Sequence, residues 1–282
     1  MAAYRRSGVL LRENVLQLRT LLVYSLVMLY IYPYCVQGYT IRKLANISLN
    51  GWGAFACTMA NPMILLICFI GYLLLMSEMP CWSSEYAYEA VRTGKRTMML
   101  SRALLILELT LMYVASLFVI NCLLSGCTDY RMDVWDKASY SLARGQEMEG
   151  VYLYAPVEII AAYTPIGAFL MSAGMLFLVF ASLGLGVFLC TMLLPFRKIV
   201  FAFFFVWGGL DIAVDEMGFG YRQYALSPLS WTRLTILETA MYNVYYPSKE
   251  WCIGAAVAMF VMMLMACFLY PVKLATDRLG DP

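Results

Sequence analysis

At 282 residues, 62% hydrophobic and only 13% charged, the chain carries too much apolar surface for a soluble core; a soluble domain has about 25% charged residues. The mean hydropathy is +0.72 and the net charge +2. The sequence holds no histidine, which excludes His-dependent metal sites, Ser-His-Asp triads and imidazole proton relays.

Six long apolar runs set the architecture, at residues 21–39, 52–76, 103–126, 164–193, 197–216 and 251–272. A helix needs about 20 mostly apolar residues to cross a hydrocarbon core. Barrel strands would alternate polar and apolar, and these runs do not. The expected fold is all-α and polytopic: a single transmembrane domain, residues 1–282, with six helices.

Residues 4–19, ahead of the first run, read as an amphipathic helix lying in the interface plane. Val9, Leu10, Val15, Leu16 and Leu18 share an apolar face, and arginines take its rim. The first run is too long for a secretory signal and lacks a small-residue cleavage site. A short polar loop, 37–51, precedes the second run. Met79 and Pro80 close that run, and residues 84–91 suit a short helix capped by Ser83 or Ser84, with Glu85 in its first turn. Arg92, Thr93, Gly94, Lys95 and Arg96 follow as a basic turn, with Gly94 suited to positive φ. This element is either a rigid handle for a cytoplasmic partner or an ordinary basic loop.

The third run carries Glu108, about two turns in, which either faces the bundle and pairs with Arg102 or a neighbouring helix, or snorkels to the headgroups. Loop 127–163 is the largest connection. It holds an expected surface helix at 133–142 and an apolar-aromatic stretch at 151–162. Thr164 and Pro165 form a helix start, an N-cap followed by proline. A tight turn at 195–198 makes the fourth and fifth runs a hairpin. Asp211 lies near the far end of the fifth. Glu108 and Asp211 are the intramembrane ionisable candidates, and neither falls at the bilayer centre. Residues 217–250 are rich in aromatics (Phe219, Tyr221, Tyr224, Trp231, Tyr242, Tyr245, Tyr246) and interrupted by Pro228 and Pro247. They read as one or two helices that dip into a leaflet and return, or as an aromatic belt on a loop.

Twelve of the twenty basic residues fall on the N-terminus, the second and fourth connections and the C-terminal tail. The positive-inside rule then places both termini in the cytoplasm. Nine cysteines show no metal-ligand spacing. Cys35, Cys57, Cys122, Cys127 and Cys252 fall near the outer face, where one disulfide is open and its connectivity is not legible. No phosphate-cradling loop exists. Gly94 and Lys95 are followed by Arg96, and the position five before Gly94 is Glu89, so G-x-x-x-x-G-K-[ST] fails twice. Neither a metal nor a cofactor site is expected, and no catalysis.

In layout the chain resembles the permease subunits of ABC-2 type exporters. The matching segments are 4–19 (an elbow helix), 81–96 (a coupling helix) and 217–246 (re-entrant helices). The region from Glu85 to Arg102, and the stretch Leu226, Ser227, Pro228, Leu229, Ser230 and Trp231, are similar to the same regions of bacterial members. The long loop after the third span departs from the simplest members. The resemblance implies a permease subunit in the cell membrane, paired with a second permease chain. Separate ATPase subunits would be gripped through Glu85, Glu89, Arg92, Lys95 and Arg96. Sparse charge and an aromatic surface suggest an amphipathic or hydrophobic cargo, a peptide or lipid. Membrane lipids are the other expected partner, and nucleic acid is not one. The alternative is a non-transport membrane partner, a sensor or assembly subunit, with loop 127–163 as its binding surface.

Overall fold

The computed structural model describes residues 18–47, 49–77, 92, 94–144, 156–194, 196–216, 224–239 and 247–269. Among them there is no strand, only an isolated bridge between Asn50 and Asp129. The helices are α1 (Leu18–Cys35), α2 (Gln37–Ala45), α3 (Gly51–Met59), α4 (Pro62–Met76), α5 (Lys95–Ser125), α6 (Lys137–Ala143), α7 (Val157–Ala162), α8 (Pro165–Leu193), α9 (Arg197–Glu216), α10 (Leu234–Thr239) and α11 (Lys249–Leu269). A 3-10 turn, Ser230–Thr232, precedes α10. The protein is an all-helical, multi-pass membrane protein. Four of its helical stretches are long and apolar enough to cross a membrane: Leu18–Ile41, Arg96–Ser125, Pro165–Leu193 and Lys249–Leu269. Counting α3 with α4 as one span makes five. The remaining long helix, α9, is more polar, because any 18-residue window in it contains three ionisable residues.

The expected second span, 52–76, is not one straight helix. It breaks after Met59, and α3 and α4 meet at 87°. The cause is local. A residue before proline is sterically driven out of the helical region, and Asn61 sits at φ −76°, ψ 123° ahead of Pro62. The Asn61 side chain then accepts from the amides of Met63 (2.9 Å) and Ile64 (3.3 Å), so α4 starts afresh with its own N-cap. Other expected local features fall where they were placed. Thr164 caps α8 by accepting from the Gly167 amide at 3.2 Å, with Pro165 in the first turn. Gly94 has φ 82°. The surface helix is shorter than 133–142, beginning at Lys137 because Asp136 caps it through the Ser139 amide at 2.7 Å.

Helix α8 is the centre of the bundle. Of an apolar 18-residue stretch of α8, 78% is buried, against 17% in α11, and α8 packs on α11, α3 and α5. In hydrocarbon the helices gain no hydrophobic drive from one another, so close packing and interhelical hydrogen bonds hold them. Both are visible around Tyr72 of α4, which is fully buried. Its ring stacks on Phe180 of α8 at 5.1 Å, and its hydroxyl pairs with Thr110 of α5 at 2.7 Å. Gly184 makes room for it, since a Cβ there would run into the Tyr72 hydroxyl. Nearby, the Tyr113 hydroxyl donates to the Cys68 carbonyl at 2.6 Å.

Candidate functional site

The two ends of the bundle bear different elements: the end of α4 and the start of α5 mark the narrow end, and the described short helices mark the broad end. At the narrow end Arg92 and Arg96 are exposed and Lys95 opens α5. Glu85 and Glu89 lie outside the described residues, as do residues 4–17 of the expected elbow helix. The Arg19 guanidinium donates to the Leu74 carbonyl, tying the start of α1 to the end of α4. Arg102 and Glu108 are half-buried on α5, and neither lacks a polar partner.

Asp211 belongs to the broad end. It is 5% exposed and faces the turn that begins the 224–239 segment. Its Oδ2 accepts from the Leu229 amide at 2.6 Å, and its own carbonyl accepts from the Ser227 hydroxyl at 3.3 Å. The Ser227 and Ser230 hydroxyls pair at 2.5 Å. The indole of Trp231 donates to the Tyr224 carbonyl at 2.9 Å and meets Trp251 of α11 edge to face at 5.5 Å. Asp211 is therefore an acceptor for a buried backbone turn, and it holds Ser227 and Leu229, which lie within the 226–231 stretch named in the resemblance.

Arg233, at the other end of that turn, was not a candidate in the sequence. It is 8% exposed, and its Nε donates to the Ala60 carbonyl at 2.9 Å. That carbonyl lies at the C-terminal end of α3, where a helix dipole favours a cation. The bend between α3 and α4 and the 224–239 segment are thus one construction. The signal available in the sequence was the Asn61–Pro62 pair, a helix boundary inside an apolar run. Nothing in the sequence linked it to an arginine so far along the chain.

A second fastening closes α10. Glu238 Oε1 accepts from Lys249 Nζ at 2.7 Å and from the Tyr163 hydroxyl. The ammonium also sits 4.3 Å from the centre of the Tyr163 ring. Burial, and then the hydrogen bond to Glu238, push the Tyr163 phenol up to about 12, so it stays a neutral donor at physiological pH. The loop beyond α5 is fixed as firmly. Asn50 caps α3 through the Trp52 and Gly53 amides, while its own amide donates to Asp136 at 3.0 Å. The Trp135 indole donates to the Tyr163 carbonyl at 2.7 Å.

This chemistry is positional. Each carboxylate and hydroxyl named at the broad end holds backbone or another side chain. Among the described residues no three acids or cysteines are grouped to hold a metal. No protein-family model matches the chain, and no curated protein or solved structure matches it.

Proposed function

We propose that the chain is a transmembrane permease subunit of an ATP-binding-cassette exporter. It would carry six spans, with the α3–α4 pair and α9 each crossing once, and both termini would be cytoplasmic. Two such chains, identical or related, would enclose a path for an amphipathic or hydrophobic peptide or lipid. Separate ATPase subunits would act on residues 81–96 at the narrow end. ATP binding on those partners would rock the permeases between inward- and outward-facing states, as a shift between two populations.

The observation that carries this reading is the 224–239 segment. It is too short to cross a bilayer and lies between two long helices, α9 and α11. It is nonetheless seated in the bundle by Asp211, Ala60, Tyr163 and Lys249. Non-helical backbone at membrane depth survives only under such cover, and that is the place where the resembled exporters carry re-entrant helices. The missing P-loop supports a separate ATPase.

The test is co-purification of a cytoplasmic ATPase with wild-type chain and with the Glu85→Lys/Glu89→Lys double variant, at matched membrane expression. Reversing charges in a desolvated interface costs roughly 2–5 kcal/mol, so the double variant should lose the ATPase and export. On a solvated loop the same change stays within about 0.5 kcal/mol. Full ATPase association and full export by the variant would remove the coupling assignment. Absence of any ATPase from the wild-type preparation would favour the alternative, a sensor or assembly subunit. Its binding face would be loop 127–163.

A further inference from the structure

Helix α5 ends in a six-residue hydrogen-bonded turn. The Cys127 amide donates to the Cys122 carbonyl at 3.2 Å, and the Gly126 amide to the Leu123 carbonyl at 3.4 Å. Gly126 takes φ 60° to make this possible. This is the Schellman arrangement, in which the residues at its two ends bring their side chains together. Here both residues are cysteines, so the turn sets the two side chains side by side. They are free thiols in this structure.

We propose that Cys122 and Cys127 are a disulfide-forming pair that staples the end of α5 to the loop after it. A disulfide needs Cα atoms about 4.4–6.8 Å apart with Cβ atoms turned inward, and the backbone hydrogen bond that joins Cys127 directly to Cys122 holds the two residues at that kind of spacing. Access selects this pair over its neighbours. Cys122 and Cys127 are 9% and 8% exposed, whereas Cys35 is 1% and Cys252 is 0%. Cys35 accepts from the Asn121 amide nitrogen at 3.3 Å, whereas the Cys122 thiol makes only a long contact to the Gly51 carbonyl at 3.9 Å. The staple would restrain residues that rest on α3, since the Gly51 amide donates to the Asp129 carbonyl at 2.9 Å and the Trp52 indole to the Tyr130 carbonyl at 3.1 Å.

The oxidant is a small-molecule or protein disulfide. One thiolate attacks it and expels a thiol, leaving a mixed disulfide. The second cysteine, as its thiolate, attacks that bond and expels the other half. Two protein thiols become one disulfide, and the oxidant becomes two thiols. That such oxidants are present at this end rests on the topology proposed above, because disulfides persist on the outer side of a membrane and not in the cytosol.

The wild-type full-length chain, purified in detergent, is exposed to oxidised glutathione, denatured, capped with N-ethylmaleimide and digested for mass spectrometry. The expected peptide containing both cysteines is two hydrogens lighter and uncapped, and takes two caps only after reduction. In Cys122→Ser, Cys127 should be capped or carry glutathione, and be linked to no other cysteine of the chain. Full capping of both cysteines in the oxidised wild type, or linkage of either to Cys35, would overturn the pair. Capping directly in cells, with no added oxidant, separates the two claims. A linked peptide supports both pair and topology, while a pair that links in detergent but is reduced in cells stands as a pair and counts against the topology.

Discussion

Single residues at the broad end act by what they would leave behind if removed. Asp211 is the case best tested. Its Oδ2 is the acceptor for the Leu229 amide, and both groups are buried. Asp211→Ala strands that amide in an apolar surround, at a cost of about 1–3 kcal/mol. Asp211→Asn keeps an acceptor oxygen in the same place and should recover most of the loss. Unfolding in detergent should therefore rank wild type above Asn and Asn well above Ala. An Ala variant as stable as wild type would mean the contact contributes nothing. The sequence singled out Asp211 because a carboxylate in an apolar run is expensive. It gave no sign that the partner is a backbone amide, since any residue at 229 supplies one. Arg233 was passed over for a related reason: it sits among polar neighbours, where a charge is unremarkable until its burial is known.

At the scale of elements, apolar length was legible and direction was not. Hydropathy averages over Asn61 and Pro62 because both arms beside them are strongly apolar, so 52–76 reads as one run. The break follows from proline sterics and a side-chain cap that both act at Asn61; they set dihedral angles and leave composition unchanged. Asn61→Ala removes the acceptor for the Met63 and Ile64 amides and should destabilise the chain by about 1 kcal/mol, with Asn61→Asp retaining the cap. The two variants, compared by thermal unfolding in the same detergent, should differ in that order. Equal stability would mean that the bend is imposed by its surroundings, with Arg233 on the Ala60 carbonyl the first suspect. The caps at Thr164 and Asp136 show the opposite situation. There the sequence places a capping side chain beside the helix start, and local pattern sufficed for Thr164 to the residue.

For the whole molecule, the parity of crossings decides which surfaces the candidate sites meet. Four stretches are long and apolar enough to cross, and the bent pair brings the number to five. Five crossings would put the termini on opposite sides. Counting α9 makes six and puts them together. The case for α9 is where its ionisable residues lie: Arg197 and Lys198 open the helix, Asp215 and Glu216 close it, and only Asp211 falls between. Charges at the ends of a span can reach the interfaces, and Asp211 is covered by the 224–239 turn. The basic residues argue the same way, because six crossings gather the N-terminus, Arg92 to Arg102, Arg197 and Lys198, and the tail on one side. Single cysteines introduced on a cysteine-depleted background at Ala2, Met132 and Leu279 test this with an impermeant maleimide. Met132 is exposed at the broad end, so Met132→Cys should label in intact cells, while Ala2→Cys and Leu279→Cys label only after permeabilisation. Protection at Ala2 with labelling at Leu279 would mean five crossings, with α9 lying along the membrane rather than across it. Labelling at Ala2 in intact cells would invert the molecule and take residues 81–96 away from any cytoplasmic ATPase.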